Sequence, residues 1–238
     1  MLQPSEIERA LVVMAHPDDV DFSAAGTVAV LTDAGVEVVY CLVTDGQAGG
    51  FDRTIPRTAM AAIRREEQTK AAAEVGVTTL HFLGHMDGSV VADMALRHDI
   101  SRVIRMVRPQ VVITQSPLRN LASTYGSHPD HIAAAEATMC AVYPDARNPF
   151  AFVGQPASDL EDWAVDEVWI PMGPDAADAI DITATVDRKM QALLCHASQH
   201  KDPEGLEARM RAWWQSAAEA NGLPAGSSCE VFRVVDTR

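Results

Sequence analysis

Leu11-Val12-Val13-Met14-Ala15-His16-Pro17-Asp18-Asp19 is an apolar run that breaks off into a histidine, a proline and two aspartates. Apolar character without alternation marks a strand buried on both faces, as in a parallel sheet. Phe22 to Asp33 follows with small and apolar residues at helical spacing, and Gly35 stands where a helix C-cap would. The alternation then repeats. Strands are predicted over Val36–Thr44, Thr78–Leu83 and Gln110–Thr114, and helices over Arg57–Val75, Ala95–Val107 and Pro129–Val142. Strand–helix alternation means βαβ units, so the expected class is α/β: a Rossmann-like three-layer fold with a mostly parallel sheet. The last third is less regular. Val165–Pro171 and Cys229–Val235 read as strands, Asp187–Ser198 and Pro203–Asn221 as helices, and Asn148–Asp162 as loop. Without an internal repeat or a linker, residues 1–238 are expected to form a single domain.

His-Pro-Asp occurs a second time, in Ser127-His128-Pro129-Asp130-His131, after the apolar run Val111-Val112-Ile113. Proline at the first helical position and an acid in the first turn favour a helix start there. In open α/β sheets ligands bind beyond the carboxyl ends of the strands. Both strings, and the loop Asp45-Gly46-Gln47-Ala48-Gly49-Gly50, follow strands and should therefore meet at one edge. A single His-Pro-Asp is often only a turn or a helix cap; two at strand ends point to a shared site. A catalytic zinc takes three His or carboxylate ligands and keeps one position open. His16, Asp18, Asp19, His128, Asp130 and His131 are six candidates for three places, which leaves groups for proton transfer and charge stabilisation. Asp18 and Asp19 suit a division between base and ligand, because consecutive side chains point in different directions. The glycine-rich loop does not match dinucleotide-binding GxGxxG spacing.

The net charge of −14 argues against nucleic acid or an anionic membrane surface as partner and favours a small molecule. No apolar run approaches the ~20 residues of a membrane span. Met1 to Glu6 lacks the basic start and apolar stretch of a secretory signal. Cys41, Cys140, Cys195 and Cys229 show no CxxC spacing, and most read as small core residues. The expected setting is cytoplasmic, with assembly into a homo-oligomer left open. Trp213-Trp214 reads as a packing anchor or subunit contact.

Ala-His-Pro-Asp-Asp paired with His-Pro-Asp-His resembles the PIG-L/LmbE-like family of metal-dependent N-deacetylases, which remove acetyl groups from N-acetylglucosamine units and similar amides. Supporting matches are Gly26-Thr27, Thr44-Asp45-Gly46, Arg64 with Glu67, Asp87-Gly88, and Lys189 to His196-Ser198-Gln199. The resemblance implies that His16, Asp19 and His131 bind zinc, with ferrous iron also compatible. It further implies Asp18 as general base, His128 as the group that polarises the acetyl carbonyl, and Asp130 as the support of the His128 ring. Arg64, Asp45, Asp87 and His196 are candidate contacts to an amino-sugar amide. From sequence alone, Arg64 otherwise reads as part of a solvated helix face, and His196 as a surface or half-buried histidine. Pocket walls are expected from 46–58, 85–94, 116–127 and 144–162. Two other functions fit the residues: an amidase acting on a non-sugar or thiol-conjugate amide, and a non-hydrolytic Rossmann-type ligand-binding module.

Overall fold

The structure is a computed structural model that describes residues 1–121, 124, 127–153, 160–173 and 175–238. Parts of the expected walls 116–127 and 144–162 therefore lie outside the described residues. In chain order the elements are β1 (Arg9–Met14), α1 (Asp19–Ser23), α2 (Ala25–Asp33), β2 (Glu37–Thr44), α3 (Arg57–Glu74), β3 (Thr79–His85), α4 (Met94–Val107), β4 (Val111–Thr114), α5 (Pro129–Cys140), β5 (Glu167–Pro171), β6 (Asp178–Asp181), α6 (Val186–Leu194), α7 (Pro203–Ala220) and β7 (Cys229–Asp236). The strands form one sheet in the order β3-β2-β1-β4-β5-β7-β6. The first five run parallel; β7 pairs antiparallel with both β5 and β6.

Central β1 shows why an uninterrupted apolar run was needed. Leu11 pairs with Val39 on one side and Val112 on the other, leaving no edge to water. Its side chains alternate between two cores. Ala10, Val12 and Met14 pack under α1, α2, α3 and α6, whereas Leu11, Val13 and Ala15 pack under α4 and α5. Helices on both faces of a mostly parallel sheet make the three-layer α/β architecture. The chain winds one way from β1 to β3 and the other way from β4, so the strand order reverses between β1 and β4. That reversal is where such sheets open a ligand crevice. Outside the inner layers, Trp214 is buried against Met190, Leu193 and Leu206, anchoring α7 to α6, while Trp213 stays exposed. Among the described residues, no helix is long and apolar enough to cross a membrane.

The structure departs from the sequence reading in four places. The helix expected over Phe22–Asp33 is two helices, broken at Ala24, whose backbone (φ −140°, ψ 1°) is not helical. A fully buried ion pair supplies what the break exposes. Glu230 accepts the free N–H groups of Gly26 (2.9 Å) and Thr27 (2.7 Å) at the start of α2. Lys189 pairs with Glu230 and donates to the carbonyl of Phe22 (2.9 Å) near the end of α1. Second, the helix expected over Asp187–Ser198 stops at Leu194, so that His196 and Ser198 can turn back towards α1 and α3. Third, the helix expected to Val142 ends at Cys140, and the chain kinks at Tyr143, whose backbone (φ −145°, ψ 120°) is extended, ahead of Pro144, which has no N–H to donate. Fourth, β6 was not anticipated. It is a four-residue edge strand whose Asp178 and Asp181 ends keep it from reading as apolar.

Removing Glu230 leaves the Lys189 ammonium buried without its carboxylate and frees two helix N–H groups. Glu230→Ala is expected to destabilise the fold by about 3–5 kcal/mol. Urea unfolding checks this as a lowered midpoint at constant slope.

Candidate metal and catalytic site

The exits of three strands are tied together at the crevice. Ala15, just past β1, donates its N–H to Gln115 Oε1 beyond β4 (3.1 Å), and its carbonyl accepts from Thr44 N and Oγ1 at the end of β2 (both 2.9 Å). His16, Pro17 and Asp18 then form the turn into α1. From the other side, Pro129 opens α5 and His128 is its N-cap. Both His-Pro-Asp strings thus face each other across the β1–β4 reversal.

Three donor groups close a triangle there. His16 Nδ1 lies 3.2 Å from His131 Nε2, His16 Nδ1 lies 3.3 Å from Asp19 Oδ2, and His131 Nε2 lies 3.1 Å from Asp19 Oδ1. Tetrahedral zinc with bonds of 2.0–2.1 Å sets its ligand atoms about 3.3 Å apart. Each of the three contacts is close to that edge length, with Asp19 meeting His16 through Oδ2 and His131 through Oδ1. The Asp19 carboxylate is further aimed by the N–H of His16 (2.7 Å).

The charges around the triangle call for a cation. Burial lowers the affinity of His16 for a proton, yet hydrogen bonds to Asp130 and Asp19, the Asp19 charge and Asp87 raise it to about 12. His131 follows the same pattern, burial being outweighed by Asp19. Burial pushes the Asp19 carboxyl up, but the facing His131 and His16 hold it well below the usual carboxylate range. A dication answers the same demand as these protons, so the donor set fits zinc in charge as well as spacing.

The far side of the His16 ring is held by carboxylates. Its Nε2 lies 3.2 Å from Asp87 Oδ1 and 3.3 Å from Asp130 Oδ2. Those acids are themselves fixed. Ala48 N–H donates to Asp87 (2.7 Å), and the N–H groups of Gly88 (2.6 Å) and Val90 (3.2 Å) donate to Asp130. A carboxylate on the second ring nitrogen sets a ligating histidine's tautomer and orientation; here it leaves Nδ1 facing Asp19 and His131. The expected hold of Asp130 on the His128 ring therefore runs through its backbone and not its side chain. That carboxylate is committed to His16, and Asp130 reaches the His128 ring through its backbone N–H, which donates to Nδ1 (3.2 Å). With Nδ1 an acceptor, the proton of a neutral ring sits on Nε2. His128 is exposed. Burial, followed by the nearby His16 and His131, lowers its pKa.

Asp18 stands beside the triangle with φ +90°, a left-handed backbone uncommon for a residue other than glycine. Its Oδ2 accepts from Arg64 Nη2 (2.8 Å). Burial pushes the carboxyl up to about 6, the Arg64 charge opposing. Such a group can take up and return a proton near neutral pH.

The remaining candidates fall in different places. Arg64 is not on a solvated helix face: only 4% of it is exposed, and it binds Asp18 and the carbonyls of Pro17 and Gly46. The glycine-rich loop wraps this guanidinium, since a Cβ on Gly46 would collide with Arg64 Nη1. Asp87 joins the His16 cluster, whereas Asp45 is gripped by Arg65 through bonds of 2.8 and 3.0 Å. His196 is completely buried, not at the surface, and its Nε2 lies 2.8 Å from Asp21 Oδ2. Gln68 belongs to none of the sequence motifs. It joins Asp18 N–H (2.8 Å) to Asp21 Oδ2 (2.9 Å). A signal existed: Met60, Arg64, Glu67, Gln68 and Ala71 share the buried stripe of α3, and polar residues on such a stripe need polar partners.

Residues 11–142 match the family described as PIG-L, GlcNAc-PI de-N-acetylase. This chain belongs to the PIG-L family. It is 30% identical over 199 residues to a diacetylchitobiose deacetylase of Thermococcus kodakarensis, covering 82% of this chain and 71% of the relative. It is similar to a solved N,N'-diacetylchitobiose deacetylase from Pyrococcus horikoshii in complex with its inhibitor MPG. That match has a TM-score of 0.86 and 26% identity, over 98% of this chain and 85% of the other. The 4-carboxy-2-hydroxymuconate hydratase of Pseudomonas putida also shares the fold, with a TM-score of 0.79 and 22% identity, over 97% of each chain. PIG-L deacetylases and a hydratase can thus occupy one architecture, and the reaction is decided by the site.

Proposed function

We propose that this protein is a zinc-dependent deacetylase that hydrolyses the N-acetyl group of a small amino sugar of the N-acetylglucosamine type, giving acetate and a free amine. The observation that carries the reading is the His16–Asp19–His131 donor triangle, with Asp18 and His128 beside it. Diacetylchitobiose deacetylases among the relatives support the substrate class. His16, Asp19 and His131 would hold the metal. Zinc in such a site supplies Lewis acidity, which polarises an amide carbonyl and makes water nucleophilic near neutral pH. Ferrous iron also suits two histidines and one carboxylate.

The protein's own groups would handle the protons and the developing charge. Asp18 takes a proton as water adds to the amide carbon, and returns it to the nitrogen as the C–N bond breaks. His128 offers its Nε2–H to the carbonyl oxygen as that oxygen gains charge, and the backbone N–H of Asp130 keeps the proton on that nitrogen. Asp87 and Asp130 hold the His16 ring through Nε2.

The test is a panel of N-acetylglucosamine and N,N'-diacetylchitobiose incubated with zinc-replete protein, with amine and acetate both measured. Equal amounts of both products are expected, lost on chelation and restored by zinc. Zinc-loaded protein that releases neither product from any member of the panel, or that instead hydrates unsaturated acids, would overturn the reading.

A further inference from the structure

We propose that Gln68, acting with Arg64 one turn earlier on α3, is a positioning residue that aims the Asp18 carboxylate by clamping the Pro17–Asp18 peptide. This rests on the reading of Asp18 as the base. The two side chains hold opposite edges of one peptide unit. Arg64 Nη2 donates to the Pro17 carbonyl, and Gln68 Oε1 accepts from the Asp18 N–H (2.8 Å). Residues four apart on a helix lie on one face, so one rigid element fixes the plane of that peptide and with it the φ of Asp18.

The need for a clamp is visible in the backbone. Asp18 occupies the N-cap position of α1, where aspartate ordinarily sits in an extended conformation and accepts N–H groups of the first turn. Here it has φ +90° and ψ −26°, and its side chain caps nothing. The carboxylate is turned away towards Arg64 and the donor triangle. A non-glycine residue stays in the left-handed region only where its surroundings over-determine it. Rotation of the Pro17–Asp18 peptide would let Asp18 relax into an ordinary cap, with its carboxylate spent on α1.

The orientation of the Gln68 amide is itself set. Its Nε2 donates to Asp21 Oδ2 (2.9 Å), and the same oxygen lies 2.8 Å from His196 Nε2. Asp21 and His196 are completely buried, and so is Gln68. Flipping the amide would set its oxygen against the Asp21 carboxylate and its NH2 against the Asp18 N–H. The Asp21–His196 pair therefore determines which end of Gln68 meets Asp18.

A double-mutant cycle tests the clamp in the full-length, zinc-loaded protein with diacetylchitobiose as substrate. Gln68→Met keeps the side-chain length and removes the acceptor. It is expected to lower kcat by about 10- to 100-fold while KM and bound zinc stay unchanged. In an Asp18→Asn background the same substitution should cost nothing further, because its effect passes through Asp18. Should Gln68→Met fail to fold, Gln68→Asn, with the amide drawn back by one methylene, is expected to give the same pattern. An unchanged kcat, or an equal fall in both backgrounds, overturns the clamp. Full activity of Asp18→Asn alone overturns the base assignment instead, so the two failures are distinguishable.

Discussion

Asp18→Asn is expected to retain one zinc per chain and to lose turnover by about 10²- to 10⁴-fold, the contribution of a positioned general base. The substitution is nearly isosteric, and an amide oxygen can still accept from Arg64. Asp18 does not belong to the donor triangle; its side chain is turned to Arg64 at 2.8 Å. Metal content and chemistry should therefore separate. Amine release in steady state, set beside elemental analysis of the purified variant, reads both quantities. Wild-type turnover in Asp18→Asn would remove Asp18 from the mechanism and leave water activation to another group.

Asp19→Ala should behave in the opposite way, losing metal first and activity as a consequence. Asp19 touches both histidines of the triangle, at 3.3 and 3.1 Å, and its Oδ2 also accepts the His16 N–H. Without it, two imidazoles face each other with no carboxylate between them. Even an outer-shell partner of a metal ligand is worth about 10- to 100-fold in affinity, so loss of a direct ligand is expected to cost more than that. Competition against a chelator of known strength measures it. His128→Ala provides the contrast, because His16, His128 and His131 also bring one ring nitrogen each within 4.8 Å of one another. Undiminished zinc affinity in Asp19→Ala, with loss of zinc in His128→Ala, would move the metal to the three-histidine group.

How much of this was legible before folding depended on range along the chain. The strands β1, β2 and β4 were readable because burial on both faces leaves an unbroken apolar run. The meeting of the two His-Pro-Asp strings followed from the rule that parallel strands present their carboxyl ends to one edge. The break at Ala24 was not readable, because the groups that satisfy it, Lys189 and Glu230, lie more than 160 residues away. Nor could the expected solvated face of Arg64 survive, since the carbonyls that draw it inward belong to the β1 and β2 exits.

The amino-acid order by itself determined the α/β class, the edge of the sheet that carries the chemistry, and the residue types gathered there. These follow from periodicity and from which residues come after each strand, and both are local. Tertiary structure alone decided which partner each polar group takes: the Asp130 carboxylate for His16, Gln68 for the Asp18 peptide, and His196 for a buried Asp21. A hydrogen bond forms over about 3 Å, so pairings of that kind exist only after the sheet has brought distant segments of the chain together.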